Sequence, residues 1–178
     1  MGWSSDSRKI LYMWGRPFRF RTFDVASRAV VDILQHPKHN VDDARLSPDD
    51  RWICFKLEQQ PGHEPTFISP VRNGVAAQED EWIRITDGPV DGRSWWSPDG
   101  NLLYYLSERD GSLCLWAQKL DKVSKHPLGP AFAVYHLHGR RHSLGSAGFG
   151  YGMGPDKLYF GLLETTGNIW MAEPQVAR

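Results

Sequence analysis

Trp96-Ser97-Pro98-Asp99-Gly100-Asn101-Leu102-Leu103-Tyr104-Tyr105-Leu106 decides the fold, because it sets a tight turn directly against a buried strand. Proline presets the backbone at the second turn position, and serine, aspartate and glycine suit the first, third and fourth positions of a type I turn. The aromatic and aliphatic run behind it reads as a strand. Trp3-Ser4-Ser5-Asp6, Leu46-Ser47-Pro48-Asp49 and Met153-Gly154-Pro155-Asp156 repeat the pattern. Successive aspartates lie 43, 50 and 57 residues apart.

That period is the one expected of a four-stranded propeller blade, so the chain reads as all-β, a β-propeller with about four blades. After the first three aspartates an apolar or aromatic pair follows at plus four and plus six: Ile10 and Tyr12, Ile53 and Phe55, Leu103 and Tyr105. The fourth copy is two residues shorter and gives Leu158 and Phe160. These residues and Trp96 are expected to be mostly buried, because they recur at matching positions. The recurring aspartates themselves are explained by turn chemistry, without a ring of metal or phosphate ligands.

Strands are expected at 9–14, 18–24 and 29–34, at 51–57, 66–71 and 82–86, at 101–107, 113–120 and 132–137, and at 157–163 and 168–172, with no helical periodicity of any length. Residues 59–65 and the polar insertion 73–81 read as loops. The whole chain, 1–178, is one region of four units at about 1–40, 41–88, 89–142 and 143–178. Only Met1 and Gly2 precede the first Trp-Ser, so the innermost strand of the first blade is expected to be missing. Strands count three, four, four and three. The sequence therefore reads as an incomplete arc of a larger six- to eight-bladed ring, with Met1 an internal start or the record a fragment; such an arc leaves sheet edges exposed.

Composition narrows the function. With 40% hydrophobic and 12% aromatic residues, 178 residues can fill a core. Lys plus Arg and Asp plus Glu balance at 21 each, so no bulk charge draws the chain to nucleic acid, and no nucleic-acid partner is expected. No apolar run reaches the roughly 20 residues of a membrane span, and Met1-Gly2-Trp3-Ser4-Ser5-Asp6 has neither the charged nor the apolar region of a secretion signal. Cys54 and Cys114 fall at non-equivalent repeat positions and are expected to be buried thiols, unbridged.

Several clusters invite chemistry. His136 and His138 share one face of a strand in Tyr135-His136-Leu137-His138-Gly139-Arg140-Arg141-His142, the spacing by which a sheet presents two metal ligands. No carboxylate or cysteine lies in that segment, and the reading is an outer strand running into a basic loop: no metal is expected, and His136, His138, Arg140, Arg141 and His142 are the candidate partner-contact loop. His36 and His39 flank a proline in a loop. Arg16-Pro17-Phe18-Arg19-Phe20-Arg21 puts its phenylalanines and its second and third arginines on opposite strand faces, so it makes no stacking platform for single strands. The glycine-rich run 145–154 lacks a Lys-Ser or Lys-Thr pair and reads as a degenerate innermost strand. Leu144-Gly145-Ser146-Ala147-Gly148 lacks the first glycine of a nucleophile elbow. No catalytic residue and no cofactor is expected.

The Trp-Ser-Pro-Asp-Gly turn with its aromatic strand, Ser107-Glu108-Arg109-Asp110-Gly111 and Leu113-Cys114-Leu115-Trp116 resemble the repeat of TolB-like β-propellers, also called WD40-like or PD40 repeats. Thr165-Thr166-Gly167-Asn168-Ile169-Trp170-Met171-Ala172-Glu173 is similar to the end of propeller regions attached behind bacterial serine/threonine kinases or winged-helix regulators. The resemblance implies a noncatalytic interaction or sensor module, part of a larger signalling or TolB-like protein, with a protein or peptide partner or a small ligand. It further implies a periplasmic or extracytoplasmic setting, with a cytoplasmic one left open by the missing signal. The alternative is the gating propeller of a prolyl-oligopeptidase-like hydrolase whose catalytic domain is absent.

Overall fold

The computed structural model describes residues 2–87, 91–136, 138, 142–144, 151–154 and 156–164. The first blade is β1 (Gly2–Trp3), β2 (Lys9–Trp14), β3 (Arg19–Asp24) and β4 (Val30–Leu34), an antiparallel meander in chain order. The second is β5 (Val41–Leu46), β6 (Trp52–Leu57), β7 (Thr66–Arg72), β8 (Val75–Ala76) and β9 (Ile83–Arg84), with β8 and β9 both paired to β7. The third is β10 (Asp91–Trp96), β11 (Leu102–Ser107), β12 (Cys114–Lys119) and β13 (Phe132–Tyr135). Beyond it, β15 (Tyr151–Met153) pairs with β16 (Leu158–Phe160), and β14 (His142–Leu144) with β17 (Leu162–Glu164). The one helical element among the described residues is a single 3-10 turn, Glu79–Glu81.

Each complete blade enters the repeat turn from its innermost strand, and the turn is built the same way three times. Ser4, Ser47 and Ser97 donate to Asp6, Asp49 and Asp99 at 2.6, 2.6 and 2.5 Å. The same hydroxyls accept the backbone N–H of Lys9, Trp52 and Leu102 at 2.9, 3.0 and 2.9 Å. Ser7, Asp50 and Gly100 close the turns on the serine carbonyls with φ of 58°, 56° and 68°. The aspartates are thus spent on their own turns. Asp99 is held below the ordinary carboxyl value by the Ser97 hydroxyl and the Asn101 N–H, and Asp6 by Ser4 and Arg8 in the same way.

Inner strands β1, β5, β10 and β15 lie side by side. Neighbouring blades are tied there: the largely buried Asp43 carboxylate accepts the Ser94 N–H at 2.8 Å, and Trp96 Nε1 donates to the Arg45 carbonyl at 3.1 Å. Burial raises Asp43 above the ordinary carboxyl value, against the pull of Arg45. Between blades one and two the core joins Leu11, Phe20, Ile33 and Leu34 to Ile53, Phe55 and Leu57. Between two and three it joins Cys54 and Ile68 to Trp96 and Leu103. Trp95, Leu106 and Leu115 meet the partly buried Met153, Leu158 and Phe160.

Four expectations need correction. The innermost strand of the first blade is present, as a two-residue stub whose Gly2 and Trp3 pair with Leu11 and Ile10. The insertion 73–81 contains β8, turned back on β7 through Asn73 and Gly74 at φ 53° and 77°, the signature of an Asn-Gly hairpin. Ile10, Tyr12, Leu158 and Phe160 are half-buried, whereas Ile53, Phe55, Leu103, Tyr105 and Trp96 are buried as expected. The strand expected at 82–86 is regular only over Ile83–Arg84, although the Ile85 N–H still donates to the Thr66 carbonyl at 2.9 Å. The strand at 168–172 lies outside the described residues.

Candidate functional site at the rim of the third blade

Strands β11 and β12 are joined by a turn in which the Gly111 N–H donates to the Glu108 carbonyl at 2.9 Å. Gly111 adopts φ 88°, a left-handed conformation that costs glycine little, and Asp110 precedes it at the tip. The chain re-enters the sheet at Cys114, opposite Ser107. Antiparallel pairing of Leu115 with Tyr135 then brings the end of β13 to the same rim. His136 follows β13 directly, and His138 lies two residues on, in the connection toward β14.

The consequence is a compact group of donors from two separate segments. Asp110 Oδ2 lies 3.1 Å from His136 Nδ1 and 3.0 Å from His138 Nε2. Together with the fully buried thiol of Cys114, one donor atom from each residue lies within 4.8 Å of all the others. Partial burial pushes the Asp110 carboxyl up, but the His138 hydrogen bond and the charge of both imidazoles outweigh it and leave it below its ordinary value. The two imidazole rings meet almost at right angles, and His136 sits edge-on to Trp116. The Arg109 guanidinium covers the Trp116 ring at 4.8 Å and donates to the Tyr105 hydroxyl at 2.7 Å.

Of the five residues of the expected contact loop, His136 and His138 are therefore brought together. Arg140 and Arg141 lie outside the described residues, and His142 is described only as the first residue of β14. Asp110 and Cys114 supply the carboxylate and thiol that segment 135–142 itself lacks. Tracing the meander could have found them, because a strand starting at 114 and the next ending at 135 must meet at one rim.

The other histidine pair is structural. His36 is buried; its Nδ1 accepts the backbone N–H of Lys38 and His39, which leaves Nε2 as the donor to Glu79 at 3.2 Å. It sits beside a groove of about 460 Å³ between β4 and β8. A second cavity of about 530 Å³ opens on the axis, where Trp3, Leu46, Trp95 and Met153 of four inner strands converge. Cys54 is a buried thiol with Ser94 Oγ at 3.6 Å; burial pushes it up to about 12, which leaves it no nucleophilic character at neutral pH. No helix is long and apolar enough to cross a membrane among the described residues.

No family model matches the chain, and no curated protein matches it. Solved structures do. The chain is similar to a TolB protein of Agrobacterium tumefaciens at 23% identity and a TM-score of 0.53, over 75% of this chain and 47% of that one. It is similar to a puromycin hydrolase carrying the S511A substitution, complexed with PGG, at 16% identity and a TM-score of 0.59, over 88% of this chain and 27% of the hydrolase. The β-propeller domain of the trilobed protease of Pyrococcus furiosus, described as having an open velcro topology, matches at 12% identity and a TM-score of 0.50, over 85% and 48% of the two chains. The fold is a β-propeller of the kind found in TolB and in these hydrolases, and the chain spans less than half the length of each of the three.

Proposed function

We propose that this chain is a noncatalytic interaction or sensor module whose specificity lies in rim loops of the third and fourth blades. One observation carries the reading: the residues that recur in every blade are consumed by turns and core, while two imidazoles, a carboxylate and a thiol from two separate segments converge where the β11–β12 turn meets the exit of β13, beside the Arg109 guanidinium on Trp116. Conserved architecture with variable chemistry in the connections is how propellers and other repeat folds present binding surfaces. A protein or peptide bound there would meet His136, His138 and the following Arg140, Arg141 and His142. A small ligand fits the same surface, and the setting suggested by the TolB likeness is periplasmic or extracytoplasmic. Attachment behind a kinase or winged-helix regulator rests on residues 165–173 alone.

The likeness to puromycin hydrolase favours one second reading, a propeller that gates an active site carried by a neighbouring hydrolase domain. Flanking sequence separates the two: a nucleophile elbow encoded beside this chain supports the gate, a kinase or DNA-binding regulator the sensor. The primary reading is tested with the purified chain. Screens for hydrolysis and phosphotransfer should give no turnover, and Arg140→Ala with Arg141→Ala should abolish binding of peptides or small ligands selected on the wild-type chain. Turnover lost on a single substitution within the chain, or binding untouched by the double variant, overturns it.

A further inference from the structure

We propose that Asp110, Cys114, His136 and His138 form a four-ligand site for a divalent transition metal of the zinc class, clasping the β11–β12 turn to the segment that leaves β13. This does not depend on whether the rim docks a partner.

The donor set and its spacing carry the argument. A tetrahedral zinc with bonds of about 2.0–2.3 Å places its donors roughly 3.3–3.8 Å apart. Two donor pairs already lie at 3.1 and 3.0 Å, and the widest separation among the four atoms is 4.8 Å. Its chemistry selects the metal: two imidazoles and a sulfur suit zinc and its transition-metal neighbours, whereas magnesium and calcium take oxygen shells of six or more. Charge also balances. On binding, the Cys114 thiol and whichever imidazoles carry a second proton release their protons to solvent, and thiolate plus carboxylate neutralise the dication beside two neutral imidazoles. Folding of the repeat does not require these residues, because the first blade makes the equivalent connection, from β2 to β3, with Gly15-Arg16-Pro17 and none of them.

The competing account is an ion-pair cluster in which Asp110 only accepts from two imidazoles. Titrating the chelator-treated full chain with Co²⁺ separates them. The proposal expects one Co²⁺ per chain, the intense visible bands of tetrahedral coordination, a thiolate-to-cobalt charge-transfer band, and displacement of both by Zn²⁺. Cys114→Ser should remove the charge-transfer band. Because Cys114 is fully buried and its replacement risks the fold, Asp110→Asn and His138→Ala at the surface provide the second arm, with metal-free melting curves as the check on folding. Each should weaken Co²⁺ by more than about tenfold, the smallest loss usually seen when even a group behind a ligand is removed. Zn²⁺ should raise the melting temperature of the wild type and not of Asp110→Asn. Absence of stoichiometric Co²⁺, octahedral spectra without the thiolate band, or affinity unchanged in both surface variants overturns the site in favour of the ion-pair cluster.

Discussion

Ile10 and Tyr12 in the first blade hold the same repeat positions as Ile53 and Phe55 in the second, yet the second pair is 0% exposed while the first is only half-buried. The residue types are alike and the turns before them are hydrogen-bonded alike. What differs is the neighbour. Side chains alternate across a strand, so Ile53 and Phe55 point at blade one and pack on Leu11, Phe20 and Ile33, while Cys54 between them points at blade three. On the first blade the same alternation sends Leu11 into that core and turns Ile10 and Tyr12 the other way, to a face with no adjoining blade among the described residues. Trp3 and Trp14 share it, at 59% and 54% exposed, whereas Trp96, the counterpart of Trp3, is 5% exposed against blade two. In this architecture a blade's core is lent by the blade beside it, and the repeat marks which positions face a neighbour, not how deeply they are buried.

The largest effect should come from Phe55→Ala. It removes a ring packed against Phe67 and edge-on to Trp82, and should cost about 3–5 kcal/mol in urea unfolding. A loss near 1 kcal/mol would mean the interface between blades one and two is looser than its geometry.

Turn energy, in contrast, should be the same in every blade. Ser4, Ser47 and Ser97 are all buried and each serves an aspartate and a strand N–H, so alanine at any of them should cost roughly 1–3 kcal/mol. If Ser4→Ala is harmless while Ser97→Ala is costly, the turns too depend on their neighbours and the comparison fails.

Acidification probes the same turns with a smaller effect. Asp6 and Asp99 are depressed in the folded chain by their serines, and Asp49 is depressed by Ser47 and Arg51 despite partial burial. A depressed carboxyl contributes stability above its unfolded value near 3.8, and that contribution fades as pH falls through the lower folded value. Asp43 is raised and acts with the opposite sign, its contribution fading as pH rises past its unfolded value. The three turn carboxyls, together with the likewise depressed Asp24, Glu81, Asp110 and Asp121, predict net destabilisation below about pH 4, less steep in Ser97→Ala. Melting temperatures that climb as pH falls below about 4 would contradict the turn account, because Asp43, raised by burial, exerts its pH dependence above its unfolded value near 3.8 and not in that range.

Tyr12→Ala should have the smallest effect, about 1 kcal/mol or less, as expected of a side chain with one face uncovered. A cost equal to that of Phe55→Ala would show the outer face covered after all.

Local chemistry was legible in the sequence and neighbour chemistry was not. Serine, proline and aspartate at turn spacing located the turns and the strands behind them, because each turn satisfies itself. The Asn73-Gly74 hairpin was legible too, from a dipeptide whose turn preference is as specific, but the polar composition of 73–81 concealed it. Burial of Ile10 depends on which sheet lies alongside, and no periodicity within one blade records that. The rim cluster falls between: His136 and His138 are visible as a pair, while Asp110 and Cys114 join them only through the register of β12 on β13.

The neighbour account is tested most directly by oxidative labelling of dilute protein, with the modified tryptophans located by mass spectrometry. Trp3 and Trp14 should react fast and Trp95 and Trp96 slowly, although Trp3 and Trp96 occupy equivalent repeat positions. Equal reactivity of Trp3 and Trp96 would contradict the claim that adjoining blades, and not the repeat itself, decide what this chain buries.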